Sequence, residues 1–128
     1  MKLLLDTCSF LWITTAQEEL SPAARIAFES ESNETYLSVV SSWEIAIKNG
    51  LKNLRLPEPV QIFLPRARML HKIESLSLNE EAIVQLPRLP ILHRDPFDRI
   101  LVCQAIAEGM AILTPDQLIR QYPVRTIW

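Results

Sequence analysis

A chain of 128 residues, 48% of them hydrophobic, has the length of one ordinary domain and can bury a full core, so a single domain over residues 1–128 is expected. No apolar run approaches the roughly 18 residues that cross a bilayer, and Met1-Lys2-Leu3-Leu4-Leu5 meets Asp6 too early for a secretory leader, which points to the cytosol and away from a membrane. The net charge of -2 supplies no overall pull toward nucleic acid, and Cys8 and Cys103 have neither CxxC spacing nor a neighbouring histidine pair, which disfavours zinc and a disulfide framework.

Lys2 to Leu5 is a short apolar run that reads as a strand, followed by the apolar segment "FLWIT". Ser21-Pro22 opens "AARIAFES" as N-cap and first helical residue. Thr35 to Val40, "TYLSVV", is rich in β-branched and aromatic residues and reads as a second strand, after which Ser41 opens the helix "SWEIAIKN" before Gly50. "LKNLRLPEPVQIFLPRARMLHKI" holds three of the nine prolines and reads as a loop, then a helix broken or begun near Pro65. Ile73 to Leu78 alternates as a strand, and Asn79 opens "EEAIVQL" as a helix. A helix from Pro96 to Glu108 stops at Gly109, and its stretch "RILVCQAIA" is apolar on nearly every side, which suits a helix wedged between a sheet and other helices. Met110 to Thr114 and Val124 to Trp128 complete a set of five strands. Strands alternating with helices imply right-handed crossovers, hence an α/β fold with a parallel sheet and helices on both faces.

In such a sheet ligands bind outside the carboxyl ends of the strands. Asp6 ends the first strand, Glu44 lies in the first turn of the helix after the second, Asp95 and Asp98 begin the long apolar helix, and Asp116 follows "MAILTP". Each has a structural explanation. Asp95 before Pro96 is a favoured N-cap, Asp98 at the third helical position gains from the helix dipole, Ser41-x-x-Glu44 matches a capping box, and Asp116 caps "QLIRQY". Asp6 has less reason to be a cap, because Ser9 is available to start "FLWIT". Jointly the pattern favours chemistry, since caps need not be acidic at four successive strand exits. Clustered carboxylates raise one another's pKa unless a cation neutralises them, and oxygen-only ligands select Mg²⁺ or Mn²⁺ over zinc. Setting four of the 15 acidic residues aside leaves 11 acidic against 13 basic groups, a mildly positive remainder.

The stretches "LLLDTCSFLW", "YLSVVSSWEIAIKNG" and "HRDPFDRILVCQAIAEGMAILTPD" together resemble a PIN domain, specifically the VapC-like toxins of bacterial type II toxin–antitoxin pairs. The resemblance runs over essentially the whole chain in the family's order and implies a three-layer α/β fold with about five parallel strands. By position it places the acidic centre on Asp6, Glu44, Asp98 and Asp116, with Asp95 as an additional acid, and gives the Thr114 hydroxyl an assisting role. One departure is Pro115, where the family more often has a small residue. The resemblance implies a Mg²⁺- or Mn²⁺-dependent endoribonuclease that cuts a structured RNA, is silenced by a cognate antitoxin, and forms a homodimer. Metal held by Asp6, Asp98 and Glu44 makes a histidine base unnecessary, so His71 and His93 are expected to be structural.

Lys48, Lys52, Arg55, Arg94 and Arg99 are the cations nearest the acids in sequence and are the candidate contacts to an RNA backbone. Lys48, four residues after Glu44, has a surface salt bridge as its alternative, and Arg99 directly follows Asp98 and so points elsewhere or pairs with an acid. Phe10, Leu11, Trp12 and Ile13 read as core more than interface, with Trp12 open to either. Three other functions compete: a Mg²⁺-dependent phosphoacceptor signalling domain, a binding module that kept the fold and lost activity, and a nuclease of the same fold used in RNA processing. The first wants adjacent acids after strand one and a lysine after the last strand, where this chain has Asp6 alone and Arg125.

Overall fold

Leu3, Leu4 and Leu5 are completely buried, which makes the first strand the centre of the molecule. In the computed structural model, which describes all 128 residues, β1 (Lys2–Leu5) pairs in parallel with β2 (Glu34–Ser38) on one side and with β4 (Ala111–Leu113) on the other. β3 (Ile73–Leu76) extends the sheet beyond β2, and β5 (Thr126–Ile127) extends it beyond β4, giving the order β3-β2-β1-β4-β5 with every pair parallel. The chain thus builds outward from β1 in one direction and then returns to build in the other. The point where growth reverses, between the carboxyl ends of β1 and β4, is the crevice where sheets of this kind bind ligands.

Successive side chains of a strand face opposite ways, so Leu4 and Leu5 enter different cores. Leu4 packs with Leu101, Val102, Ile112, Ile119 and Tyr122, under α6 (Pro96–Glu108) and α5 (Glu80–Ile83). Leu5 packs with Phe10, Ile13, Leu37, Ile45 and Phe63, under α1 (Thr7–Thr15), α3 (Val39–Gly50) and α4 (Val60–Leu70). α2 (Pro22–Glu29), capped by Ser21, adds Ala24 to this second core. The result is the expected α/β sandwich of helix, sheet and helix. Each large apolar side chain fully buried in it contributes about 1.5–3 kcal/mol. α6 buries five consecutive residues, Leu101 to Ala105, as its all-round apolarity predicts, and stops where Gly109 turns left-handed at φ 67°. No helix is long and apolar enough to cross a membrane.

Several boundaries differ from the sequence reading. β2 ends at Ser38, whose Oγ accepts the Val40 N–H at 3.0 Å, so α3 begins at Val39 and "VV" is helical despite its β-branching. Ser41 therefore lies buried inside the first turn, and the Ser41–Glu44 capping box does not form. α4 starts at Val60, after Pro59, and runs through Pro65; the helix neither begins nor ends there, since packing of Phe63 and Ala67 outweighs one missing N–H. β3 stops at Leu76, β4 spans three residues and β5 two, all shorter than their apolar runs. The "EEAIVQL" helix is one turn, followed by a 3-10 turn at Leu86–Arg88. Phe10 and Ile13 are core, whereas Trp12 is half-buried with its ring 5.7 Å from that of Trp128.

A polar bridge ties α6 to the sheet. The Ser38 hydroxyl donates to Gln104 Oε1 at 2.5 Å, and Gln104 Nε2 donates to the Ser77 carbonyl at 3.3 Å, with Gln104 almost wholly buried. Truncating it leaves the buried Ser38 hydroxyl without its acceptor and the Ser77 carbonyl without its donor. Gln104→Ala is expected to lose about 1–3 kcal/mol in denaturant unfolding, against no more than about 0.5 for exposed Gln117→Ala. Equal unfolding midpoints for the two variants would show that the bridge contributes nothing.

Candidate active site

The acids at the strand exits meet in one cavity of about 490 Å³. Asp6, Glu44, Asp95, Asp98 and Asp116 line it, and Lys48 is the one cationic side chain among its walls. Four local structures deliver these carboxylates.

Asp6 leaves β1 and caps α1: its Oδ1 accepts the Ser9 N–H at 2.8 Å. This corrects the expectation that Ser9 starts the helix; the Ser9 hydroxyl instead donates to the Leu113 carbonyl at 2.7 Å. Asp6 Oδ2 accepts from the Thr114 hydroxyl at 2.5 Å, which stitches the end of β1 to the end of β4. Glu44, one turn into α3, is buried, with Oε1 accepting from Thr7 Oγ1 at 2.6 Å and Oε2 paired with Lys48 Nζ at 2.6 Å. Asp95 caps α6 by accepting from the N–H groups of Phe97 (2.8 Å) and Asp98 (3.4 Å). Asp116 Oδ1 accepts the Leu118 N–H at 2.7 Å, and its own N–H donates to Thr114 Oγ1 at 3.0 Å. Thr114 therefore touches two of the acids. Pro115 is accommodated in the cavity wall between them.

Asp98 is the exception. Its side chain is only 16% exposed, and its close polar partner is His93 Nε2 at 2.9 Å. Burial, then Asp95, with Asp6 and Glu44 adding, push its carboxyl up to about 7 against a lowering pull from His93. Burial also raises the Asp6 carboxyl, opposed by its hydrogen bonds to Ser9 and Thr114. Cys8 reaches the same cavity, where burial and then Asp6, Asp116 and Asp98 push its thiol up to about 11, so without a metal it stays protonated. The donor set is thus oxygen-rich and under-neutralised, which fits a hard divalent cation.

The basic residues divide. Lys48 is tied to Glu44 as its spacing allows, and Arg99 turns away, with Nη2 3.4 Å from the Leu89 carbonyl. Lys52 and Arg55 are exposed on either side of Asn53 and Leu54, two cavity-lining residues, and Arg94 is exposed beside Asp95. His71 lies away from the acids, its ring 6.4 Å from that of Phe28. His93, expected to be merely structural, enters the acidic cluster: Nε2 is also 3.3 Å from Asp116 Oδ2. Its only sequence signal was proximity to "DPFD", because the contact with Asp116 spans 23 residues.

A family model described as "PIN domain" matches residues 3–124. Ribonuclease VapC22 of Mycobacterium tuberculosis (strain ATCC 25618 / H37Rv) is 26% identical over 130 residues, covering 98% of this chain and 97% of that protein. Among solved structures, VapBC2 from Rickettsia felis bound to a promoter DNA fragment superposes with a TM-score of 0.73 at 16% identity, covering 98% of this chain and 97% of the other. FitAB bound to the IR36 DNA fragment gives 0.60 at 16% identity over 97% and 92%, and VapBC-1 from nontypeable Haemophilus influenzae gives 0.58 at 14% over 98% and 96%. At these identities the structural likenesses speak to the fold.

The folded protein holds the Asp98 proton more tightly than an unfolded chain, where the ordinary value is 3.8. Stability is therefore greatest below that value and falls as pH rises through about 7, by linkage. Metal-free protein is expected to melt at progressively lower temperature across this window, and Asp98→Asn, which cannot ionise, to flatten the decline and raise the melting temperature at pH 8. Parallel melting curves for wild type and variant across the window would refute the assignment.

Proposed function

This chain belongs to the PIN domain family, and on that footing we propose that it is a Mg²⁺- or Mn²⁺-dependent endoribonuclease, the toxin of a type II toxin–antitoxin pair, that cleaves structured RNA by water attack on a phosphodiester. One observation carries the reading: five carboxylates converge on a cavity at the sheet's switch point with a single lysine among them. A bound divalent ion supplies Lewis-acid polarisation of the phosphodiester and a water of lowered pKa.

The chain's own part is to hold and orient. Asp98, with no backbone donor at its carboxylate, and Asp6 are the primary metal-holding groups, with Glu44 and Asp116 completing the set. Ser9 and Thr114 fix the plane of the Asp6 carboxylate, and Thr7 and Lys48 fix that of Glu44. Thr114 acts through Asp6 and Asp116. Asp95 orients the first turn of α6, and with it Asp98. Lys52, Arg55 and Arg94 are the cations free to meet an RNA backbone at the rim, while Lys48 serves Glu44 and Arg99 serves the Leu89 loop. The VapBC assemblies to which the fold is similar support a cognate antitoxin as partner; a homodimer as the resting unit belongs to the same proposal.

The test is cleavage of a labelled structured-RNA mixture by wild type, Asp6→Asn and Asp98→Asn in Mg²⁺, Mn²⁺ or EDTA. Wild type is expected to cut only with metal, and each variant to lose at least about 100-fold in rate while retaining its fold. Cleavage that survives both substitutions would show a contaminating nuclease, and uncut RNA under every wild-type condition would defeat the nuclease reading.

A further inference from the structure

His93 is the one side chain of the acidic cluster to which metal hydrolysis assigns no task. The loop before α6 fixes its position: the backbone N–H groups of Leu92 and His93 both donate to the Tyr122 hydroxyl, at 3.2 and 2.8 Å, and Tyr122 is part of the core. The ring is only 14% exposed. Its Nε2 and one carboxylate oxygen each from Asp98 and Asp116 lie within 4.8 Å of one another, an arrangement that resembles a three-ligand metal site.

The other ring nitrogen decides otherwise. Nδ1 accepts the backbone N–H of Asp95 at 3.2 Å, so Nδ1 carries the lone pair and the neutral imidazole carries its proton on Nε2. A metal-ligating histidine is wired the opposite way, with its second nitrogen donating to an acceptor and a lone pair facing the ion. Here the N–H faces Asp116 Oδ2 at 3.3 Å, with Asp98 Oδ2 2.9 Å from the same nitrogen. We propose that His93 is a positioning residue, not a metal ligand: its Nε2–H is hydrogen-bonded to Asp116 and the same nitrogen packs 2.9 Å from Asp98 Oδ2, so the ring spaces the two carboxylates across the gap between α6 and the end of β4. This rests on the proposed metal-binding role of the cluster and deepens it. The ion is then held through oxygen alone, as Mg²⁺ requires.

The experiment is Mn²⁺ binding to purified wild type, His93→Ala and His93→Gln, followed by titration and by pulsed electron paramagnetic resonance, which detects nitrogen bonded directly to Mn²⁺. Bound Mn²⁺ is expected to show no coordinated nitrogen in the wild type. His93→Ala is expected to weaken binding about 10- to 100-fold, the usual effect of losing a group that orients ligands, and His93→Gln, whose amide restores an N–H donor at similar reach, to recover most of it. A coordinated-nitrogen signal that disappears in His93→Ala would overturn the proposal by making His93 a ligand. Unchanged affinity in folded His93→Ala would overturn it by making the ring a bystander. Folded wild type that binds no Mn²⁺ would instead overturn the metal reading on which the proposal stands.

Discussion

Mutual repulsion among carboxylates held in a partly dry cavity is the constraint on which the rest of this structure depends. Five acidic side chains face one lysine, and the least compensated of them, Asp98, has its carboxyl pushed up to about 7. Such an arrangement is tolerable only because its supports are rigid. Asp6 and Thr114 join the ends of two adjacent central strands, and those strands are fixed by fully buried leucines and Ile112 on both faces of the sheet. The two cores stabilise what the site destabilises, and the divalent cation proposed for the cavity would supply the missing positive charge.

Helix capping and the proposed metal holding would use the same carboxylates. Asp6 and Asp95 each give one oxygen to the first turn of a helix, α1 and α6, and Asp116 does the same for the 3-10 turn at Ile119–Gln121. These N–H groups fix the carboxylate planes, and the positive ends of the α1 and α6 dipoles offset part of the repulsion. The local explanation of each acid and the collective one therefore agree. A serine or asparagine would cap as well, but would leave the cavity without charge for a cation.

What was legible in the sequence was local. Ser21-Pro22, Asp95-Pro96 and Gly109 mark helix ends through contacts a few residues long, and the all-round apolarity of "RILVCQAIA" announces a helix buried between layers. Asp6, Glu44 and Asp116 stood out because they come soon after strands, Asp95 and Asp98 because they open the long apolar helix, and the Lys48 pairing follows from its i+4 spacing to Glu44. What escaped depends on distant partners. Ser38 instead of Ser41 starts α3, in a position held by Gln104, 66 residues away. α4 runs through Pro65 because Phe63 and Ala67 fill the core beneath α1, a gain invisible to proline counting. His93 owes its place to the Tyr122 hydroxyl and meets Asp116 only after the chain has formed β4.

If the carboxylates of the cavity hold a divalent cation, as proposed, the melting temperature of metal-free protein at pH 8 must respond to added Mg²⁺. A ligand that binds only the folded state stabilises by RT ln(1 + [L]/Kd), so wild type should melt at steadily higher temperature once Mg²⁺ exceeds its dissociation constant, while Asp98→Asn should respond little. A wild-type melting temperature indifferent to Mg²⁺, or an equal rise in Asp98→Asn, would contradict the account.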